Sequence, residues 1–364
     1  MALKISILGT VGIPAKYGGF ETLAEYLTKK LGASYDMTVY CSSKSYDKKL
    51  DEHNGAKLKY INLKANGVQS IPYDIISIFK SLKHSDVLLI LGVSGGLVLP
   101  IIKLVSKKRI LVNIDGLEWK RAKWGKFTKM FLKLSERIAV KFADEIITDN
   151  KVITDYVKSE YDTDSHLIAY GADHVTHESI DDQLTEKYPF VKSEYAFKVC
   201  RIEPENNIHV ILEAFSKLPE KHLVCVGNWG NSAYGSNLKN KFNSFKNISL
   251  LDPIYDQRIL NQLRSNCSLY VHGHSAGGTN PSLVEAMELG LPIFAYGVQY
   301  NKETTGGEAA YFNDENELIS LLKNINKNEL NLIAENMKSI ANKIYTWGYV
   351  SSEYSNLFPN NKTV

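Results

Sequence analysis

Cysteine is scarce in this chain. Cys41, Cys200, Cys225 and Cys267 are the four in 364 residues, and no two form a CxxC pair. This excludes a zinc cluster or a dithiol redox pair and suits small core residues in a reducing cytosol. Long apolar runs are missing as well. The uncharged stretch from Val87 to Ile102 falls short of the roughly 20 residues a spanning helix needs. Ser94-Gly95-Gly96 and Pro100 interrupt it, so it reads as a buried strand over 86–91, a glycine turn and a helix start. The opening MALKISILG reads as a first strand and lacks the layout of a signal peptide. Neither GxGxxG nor GxxxxGK followed by Ser or Thr occurs, which excludes the dinucleotide fingerprint and the P-loop. No DxD pair stands at a strand end, and there is no repeat or low-complexity tract.

What is present is an alternation of short apolar strands with helical stretches. Strands are expected at 3–8, 36–41, 57–62, 86–91, 109–114, 145–148 and 166–169, with helices at 20–31, 72–82, 127–142 and 150–159. After a polar, acidic stretch at 175–194, read as a linker, the alternation restarts. Strands are expected at 195–200, 221–226, 248–250, 268–272 and 292–295, and helices at 207–217, 256–265 and 281–289. Three helices, 314–323, 327–343 and 346–357, end the chain. A length of 364 residues exceeds the usual single core, so two domains are expected. The pattern makes each an α/β, doubly wound, Rossmann-like domain, the two facing a central cleft at the carboxyl ends of their strands.

Net charge is only +3, but it is unevenly spread: Lys103 to Lys141 holds twelve Lys/Arg against three acids, Asp115, Glu118 and Glu136. Trp119, Trp124, Phe127, Met130 and Phe131 are interleaved with them. Such a stretch suits an anionic membrane surface, or else a solvated helix whose apolar side is core.

Four segments can carry chemistry. The loop after the first strand, Gly9 to Thr22, has four glycines in eleven positions, ending with Gly18 and Gly19. Glycines let backbone N–H groups approach a phosphate, and the following helix start adds positive potential. A second glycine pair, Gly277-Gly278, precedes Thr279, Asn280 and Pro281. Thr279 or Asn280 can cap a helix and Pro281 suits its first turn, which is the geometry of a diphosphate site. Glu285, one turn further in, can accept sugar hydroxyls. Arg201 ends the second domain's first strand, where a guanidinium can grip phosphate oxygens. Asp115 and Glu118, at another strand end, either orient substrate hydroxyls or cap local backbone. His272 and His274 flank Gly273 without acidic partners at ligand spacing, so no metal site is expected. His174 and His177 are read as surface residues.

Together these segments resemble the retaining glycosyltransferases of family 4, which have the GT-B fold. GxPAKYGGFETLAEYL, IDGLEWKRAKW, RIEPENNI and HGHSAGGTNPSLVEAM, in that order, are similar to one bacterial subgroup. These are the rhamnosyltransferases of capsule, O-antigen and cell-wall polysaccharide assembly. The resemblance implies an acceptor-side domain over 1–178 and a nucleotide-sugar-binding domain over 179–344. It also implies that the last helix, 345–364, packs back on the first domain. It makes Arg201 the donor-diphosphate arginine and Glu285 the second glutamate of a Glu–seven residues–Glu motif that binds the pentose. Gly18 and Gly19 become a mobile loop near the donor phosphates, and Gly171, in AYGAD, the glycine of a hinge element. Two positions depart from the pattern: Gly277 stands where the first glutamate would be, and Asn206 where a lysine follows the arginine. Backbone donors at 277–280 would then have to compensate for the missing cation.

The expected activity is metal-independent and cofactor-free transfer of L-rhamnose from dTDP-L-rhamnose to a lipid-linked saccharide. The catalytic set is Arg201, Glu285, Asp115 and Glu118, and the donor set Gly18, Gly19, Gly277, Gly278, Thr279, Asn280, Asn206 and Gly171. The expected location is cytoplasmic, peripheral at the inner face of the plasma membrane, with no nucleic-acid partner. The alternatives are a transferase using a UDP-hexose, a nucleotide-sugar epimerase and a non-catalytic scaffold on the same fold.

Overall fold

The computed structural model describes residues 2–16, 18–114, 116–120 and 124–359. It divides into two compact units, the first Met1–Gly171 with the segment from Trp347 onward, the second Ala172–Thr346. Each is a parallel sheet wrapped by helices.

Among the described residues, the first unit has an eight-stranded sheet. Its strands are β1 (Lys4–Leu8), β2 (Asp36–Ser42), β3 (Glu52–His53), β4 (Ala56–Ile61), β5 (Val87–Leu91), β6 (Arg109–Asn113), β7 (Glu145–Thr148) and β8 (His166–Leu167), in spatial order β3-β4-β2-β1-β5-β6-β7-β8. Only the short β3 runs antiparallel, on β4. β5 reads VLLIL and is buried throughout, as a central parallel strand covered on both faces must be. It pairs with β1 (Ile7 beside Leu89) and with β6 (Leu89 beside Leu111), so the core runs along the sheet's middle.

The order of strands fixes which face each helix covers. From β1, the helix Gly19–Leu31 leads toward the β3 edge. The helices Ser70–Ser81, Leu99–Val105, Lys126–Phe142 and Lys151–Tyr161 each lead toward the β8 edge. Right-handed crossovers therefore put the last four side by side on one face and Gly19–Leu31 on the other. The C-terminal helix Trp347–Asn356 joins Gly19–Leu31. Trp347 stacks on Tyr26 at 4.6 Å between ring centres, and Asn113 donates to Tyr354 at 2.8 Å.

The second unit has six strands, β9 (Ala196–Val199), β10 (Leu223–Val226), β11 (Ile248–Leu251), β12 (Leu269–His272), β13 (Ile293–Tyr296) and β14 (Ala310–Phe312), in the order β11-β10-β9-β12-β13-β14, all parallel. Ile211, Phe215, Val271 and Phe294 pack its core. β9 and β12 are neighbours at the centre, so the loops leaving their carboxyl ends lie side by side.

Two expectations need correction. The stretch 175–194 is not a linker. It forms a helix at Asp182–Lys187, capped by Asp181, and a short turn at Pro189–Lys192, and it buries Leu184 and Val191. Glu178 O accepts from Asn266 and Ser179 O from Gln262, which fastens the segment to the helix Gln257–Ser265. The compact units themselves meet between Gly171 and Ala172. Cys200 is partly exposed, while the other three cysteines are buried; all four are free. No helix among the described residues is long and apolar enough to cross a membrane.

Candidate functional site

In the second unit, the loops after β9 and β12 are laced together by side chains. Asn206 donates to Arg201 O at 2.7 Å, and its Oδ1 accepts from His274 Nδ1 at 2.8 Å. Asn207 donates to Gly273 O at 2.9 Å, and Ser275 N donates to Glu205 O at 2.8 Å. A Cβ at Gly273 would lie 2.3 Å from Asn206 O, so the close approach requires glycine. Asn206, read from sequence as a lost cation, is thus a buried latch. His274 is held by it and by Asn301, which donates to His274 O at 2.8 Å. Among the described residues no cluster of His, Cys, Asp and Glu is arranged to hold a metal ion.

The glycine pair follows. Gly277 has φ +115°, a conformation that L side chains rarely adopt. Among the described residues no protein group accepts from the N–H of Gly277 or Gly278. Asn280 caps the helix Pro281–Glu288, its Oδ1 accepting from Ser282 N at 3.0 Å and from Ser282 Oγ at 2.8 Å. Pro281 occupies the first turn, where no N–H is needed. Thr279 is buried, its hydroxyl 3.5 Å from that of Thr304. This leaves two backbone donors of the glycine pair open at a helix start, the arrangement that takes an anion.

Glu285, one turn inside, is clamped. Oε2 pairs with Arg264 Nη1, and Oε1 lies 3.1 Å from His174 Nε2. Arg264 is only 1% exposed and also donates to Asn261 Oδ1 at 3.0 Å. Burial by itself would raise the Glu285 pKa; the Arg264 charge and the His174 contact outweigh it and pull it down to about 2. Glu285 is therefore a fixed anion, with lone pairs left on each oxygen for one more donor. Sequence reasoning placed His174 on the surface and passed over Arg264. His174 sits on the segment fastened to the second unit, while His177 is exposed as expected. The one available signal for Arg264 was a cation on the apolar side of Gln257–Ser265, beside Leu260 and Leu263. Arg201 remains exposed, its guanidinium 3.9 Å from Glu203, free to meet a ligand.

In the first unit the glycine-rich loop divides in two. Its front half is tied internally. Glu21 accepts from Val11 N at 2.7 Å and Thr10 Oγ1 at 3.0 Å, and Ala15 N donates to Glu25 at 3.0 Å. Gly9 and Gly12 serve packing, since a Cβ would meet Leu91 O at 2.1 Å and Cys41 Sγ at 2.6 Å. In its back half, among the described residues, no side chain caps the helix Gly19–Leu31; Gly18 has φ +131°, and a Cβ there would meet Glu21 Oε2 at 1.9 Å. A Cβ at Gly19 would press on the Tyr170 ring at 3.1 Å. Glu118 accepts from Trp124 Nε1 at 3.0 Å, a local structural contact; Asp115 lies outside the described residues. At Gly171 a Cβ would fall 2.5 Å from the Trp347 indole, so this position is glycine for lack of room.

Comparison with known proteins agrees with this division. Residues 2–173 match the model of a domain of unknown function (DUF1972), and residues 181–344 match that described as Glycosyl transferases group 1. The second of these matches lies wholly within the second unit. No curated protein matches the chain by sequence. Solved structures do match it in fold. Sucrose-phosphate synthase from Thermosynechococcus elongatus superimposes with a TM-score of 0.79 at 14% identity, covering 98% of both chains. HepE of Anabaena, in complex with UDP-glucose, gives 0.73 at 13% identity over 97% of this chain and 98% of its own. The α,α-trehalose 6-phosphate synthase of Burkholderia multivorans gives 0.73 at 10% identity over 98% and 96%. The fold is that of GT-B glycosyltransferases, with two Rossmann-like domains, and together with the group 1 domain it supports a glycosyltransferase.

Proposed function

We propose that this protein is a retaining glycosyltransferase that moves L-rhamnose from dTDP-L-rhamnose to a lipid-linked saccharide. The product would feed capsule, O-antigen or cell-wall polysaccharide at the inner face of the plasma membrane. One observation carries the reading: the open N–H groups of Gly277 and Gly278 beside the clamped anion Glu285, inside a glycosyl transferases group 1 domain. Arg201, the glycine N–H groups and the helix N-terminus would stabilise the diphosphate leaving group. Such preorganised donors are commonly the largest catalytic contribution. The leaving phosphate would take the acceptor's proton. Glu285 would accept the pentose 3′-hydroxyl.

The donor assignment rests on Gly277 as well. At φ +115° the backbone favours glycine, so no carboxylate meets the transferred sugar there. An absent carboxylate suits the methyl of a 6-deoxy sugar, against which a buried unpaired anion would cost at least about 1–3 kcal/mol. A UDP-hexose is the second reading, favoured by the HepE structures with UDP and UDP-glucose. The test is a thermal-shift screen of dTDP-L-rhamnose, UDP-glucose, UDP-galactose and GDP-mannose, followed by product analysis on a lipid-linked hexose. Stabilisation and turnover by dTDP-L-rhamnose alone are expected. Turnover of a UDP-hexose without dTDP-L-rhamnose turnover refutes the donor and keeps the transferase. Acceptor-independent conversion of the sugar refutes the transferase in favour of an epimerase.

A further inference from the structure

Three neighbouring helices of the first unit, Ser70–Ser81, Leu99–Val105 and Lys126–Phe142, share one face of the sheet. Their outward sides are unusually apolar. On Leu99–Val105, Ile101, Leu104 and Val105 are 50%, 86% and 65% exposed; on Lys126–Phe142, Phe127, Met130 and Leu134 are 85%, 67% and 49% exposed. The spacings put each trio on one side of its helix. A groove of about 460 Å³ lined by Lys83, Val105, Lys107 and Lys108 joins the ends of the first two helices, so the surface is continuous there.

The exposed charge on the three helices is of one sign; the groove beside them also holds Asp86, 3.9 Å from Lys108. The three helices contain two acids, Asp74 and Glu136, 5% and 1% exposed. Glu136 is consumed by Trp119, Tyr156 and Tyr161, which donate to it at 3.1, 2.6 and 2.5 Å. By contrast Lys80, Lys83, Lys107, Lys126, Lys129, Arg137 and Lys141 form no ion pair among the described residues. Lys133 does not belong to this set: it lies among the rings of Trp119, Tyr156 and Tyr161 and pairs with Glu160 at 3.0 Å.

We propose that this face docks on an anionic lipid bilayer, Leu104, Phe127 and Met130 entering the interface while the surrounding lysines meet lipid phosphates. The charge selects the occupant. A second copy would set lysines against lysines with no exposed carboxylate on the three helices to answer them. An anionic bilayer answers both the apolar side chains and the cations over a broad surface. The inference rests on the lipid-linked acceptor proposed above and names the surface by which the enzyme would reach it.

The test is flotation of the full chain with phosphatidylcholine vesicles, with and without phosphatidylglycerol, at low and high salt. Two variants are compared with the native chain, Leu104→Ser/Phe127→Ser/Met130→Ser and Lys126→Glu/Lys129→Glu/Lys141→Glu. All six positions are on the surface, and an unchanged thermal midpoint checks the fold. The native chain should bind only vesicles holding phosphatidylglycerol. The apolar variant should lose at least about tenfold in affinity and all salt-resistant binding, and the charge variant about a hundredfold. Nucleotide binding should be unchanged in both. Three results overturn the proposal: no vesicle binding, apolar-variant binding equal to native, or a concentration-dependent dimer that the apolar variant abolishes without any vesicle binding. Vesicle binding by a chain that turns over no donor would keep this surface and refute the transferase reading.

Discussion

Asp74 in the first unit and Glu285 in the second are carboxylates largely shielded from water, and the two behave oppositely. Asp74, in the first unit, is 5% exposed and faces Ser94; burial, only partly offset by that hydrogen bond, pushes its pKa up to about 8. Glu285, in the second, meets Arg264 and His174 and is pulled down to about 2 despite its burial. Burial acts in the same direction on both. The difference lies in partners: a hydroxyl leaves the first close to neutrality, whereas a guanidinium and an imidazole make the second a permanent anion. Only the second adjoins open backbone donors, so the partner set, rather than burial, marks the functional carboxylate.

The strongest way to break this comparison is to remove a partner. Arg264→Ala should destabilise the second unit by about 3–5 kcal/mol, because it strips a buried ion pair of one member. Asp74→Asn should not destabilise the first unit, and above about pH 4 it should stabilise it, since the neutral isostere removes the ionisation that only the unfolded chain gains. Chemical unfolding followed separately for each unit reads both. Equal losses would mean that the two carboxylates are equivalent structural groups.

Next in size is the loss of Arg201, the exposed cation beside the same loops. Arg201→Ala should lower turnover at least about thirtyfold, a loss of roughly 2–4 kcal/mol of transition-state stabilisation, with stability unchanged. Steady-state kinetics at saturating donor read it, and near-native turnover would remove Arg201 from the diphosphate site.

The comparison is sharpened by pH. The folded pKa of Glu285 is depressed from 4.5 to about 2, so its contribution is present above pH about 4.5 and lost as pH falls toward 2. The folded pKa of Asp74 is raised from 3.8 to about 8, so its contribution is present below pH about 3.8 and lost as pH rises through 8. Glu285→Gln should flatten the acid limb of the stability profile, and Asp74→Asn the decline between about pH 3.8 and 8. If either variant flattens the opposite limb, the partner assignments are wrong.

Apart from the short β3 and β14, the strands and most helices were legible in the sequence because parallel strands buried on both faces read as short apolar runs. The helix start at Asn280-Pro281 was legible for its capping chemistry. What escaped did so for physical reasons. The helix at Asp182–Lys187 is short and mostly exposed, so it carries no apolar stripe and looked like a linker. His174 and Arg264 are brought to Glu285 from 111 and 21 positions away, a convergence no local pattern encodes. The two glycine-rich loops looked alike, yet Val11, Gly12 and Ala15 spend their N–H groups on Glu21, Thr10 and Glu25. A glycine kept for close packing and one kept for a ligand read identically until the acceptors are known.

That distinction gives the smallest and most direct effect, a change in amide environment. The chain labelled with nitrogen isotope at glycine alone would be titrated with thymidine diphosphate while its glycine amide resonances are followed. The amides of Gly277 and Gly278 should move together and saturate, while those of Gly9 and Gly12, packed against Leu91 and Cys41, stay in place. If Gly9 and Gly12 shift and Gly277 and Gly278 do not, the diphosphate site is not in the second unit's loop.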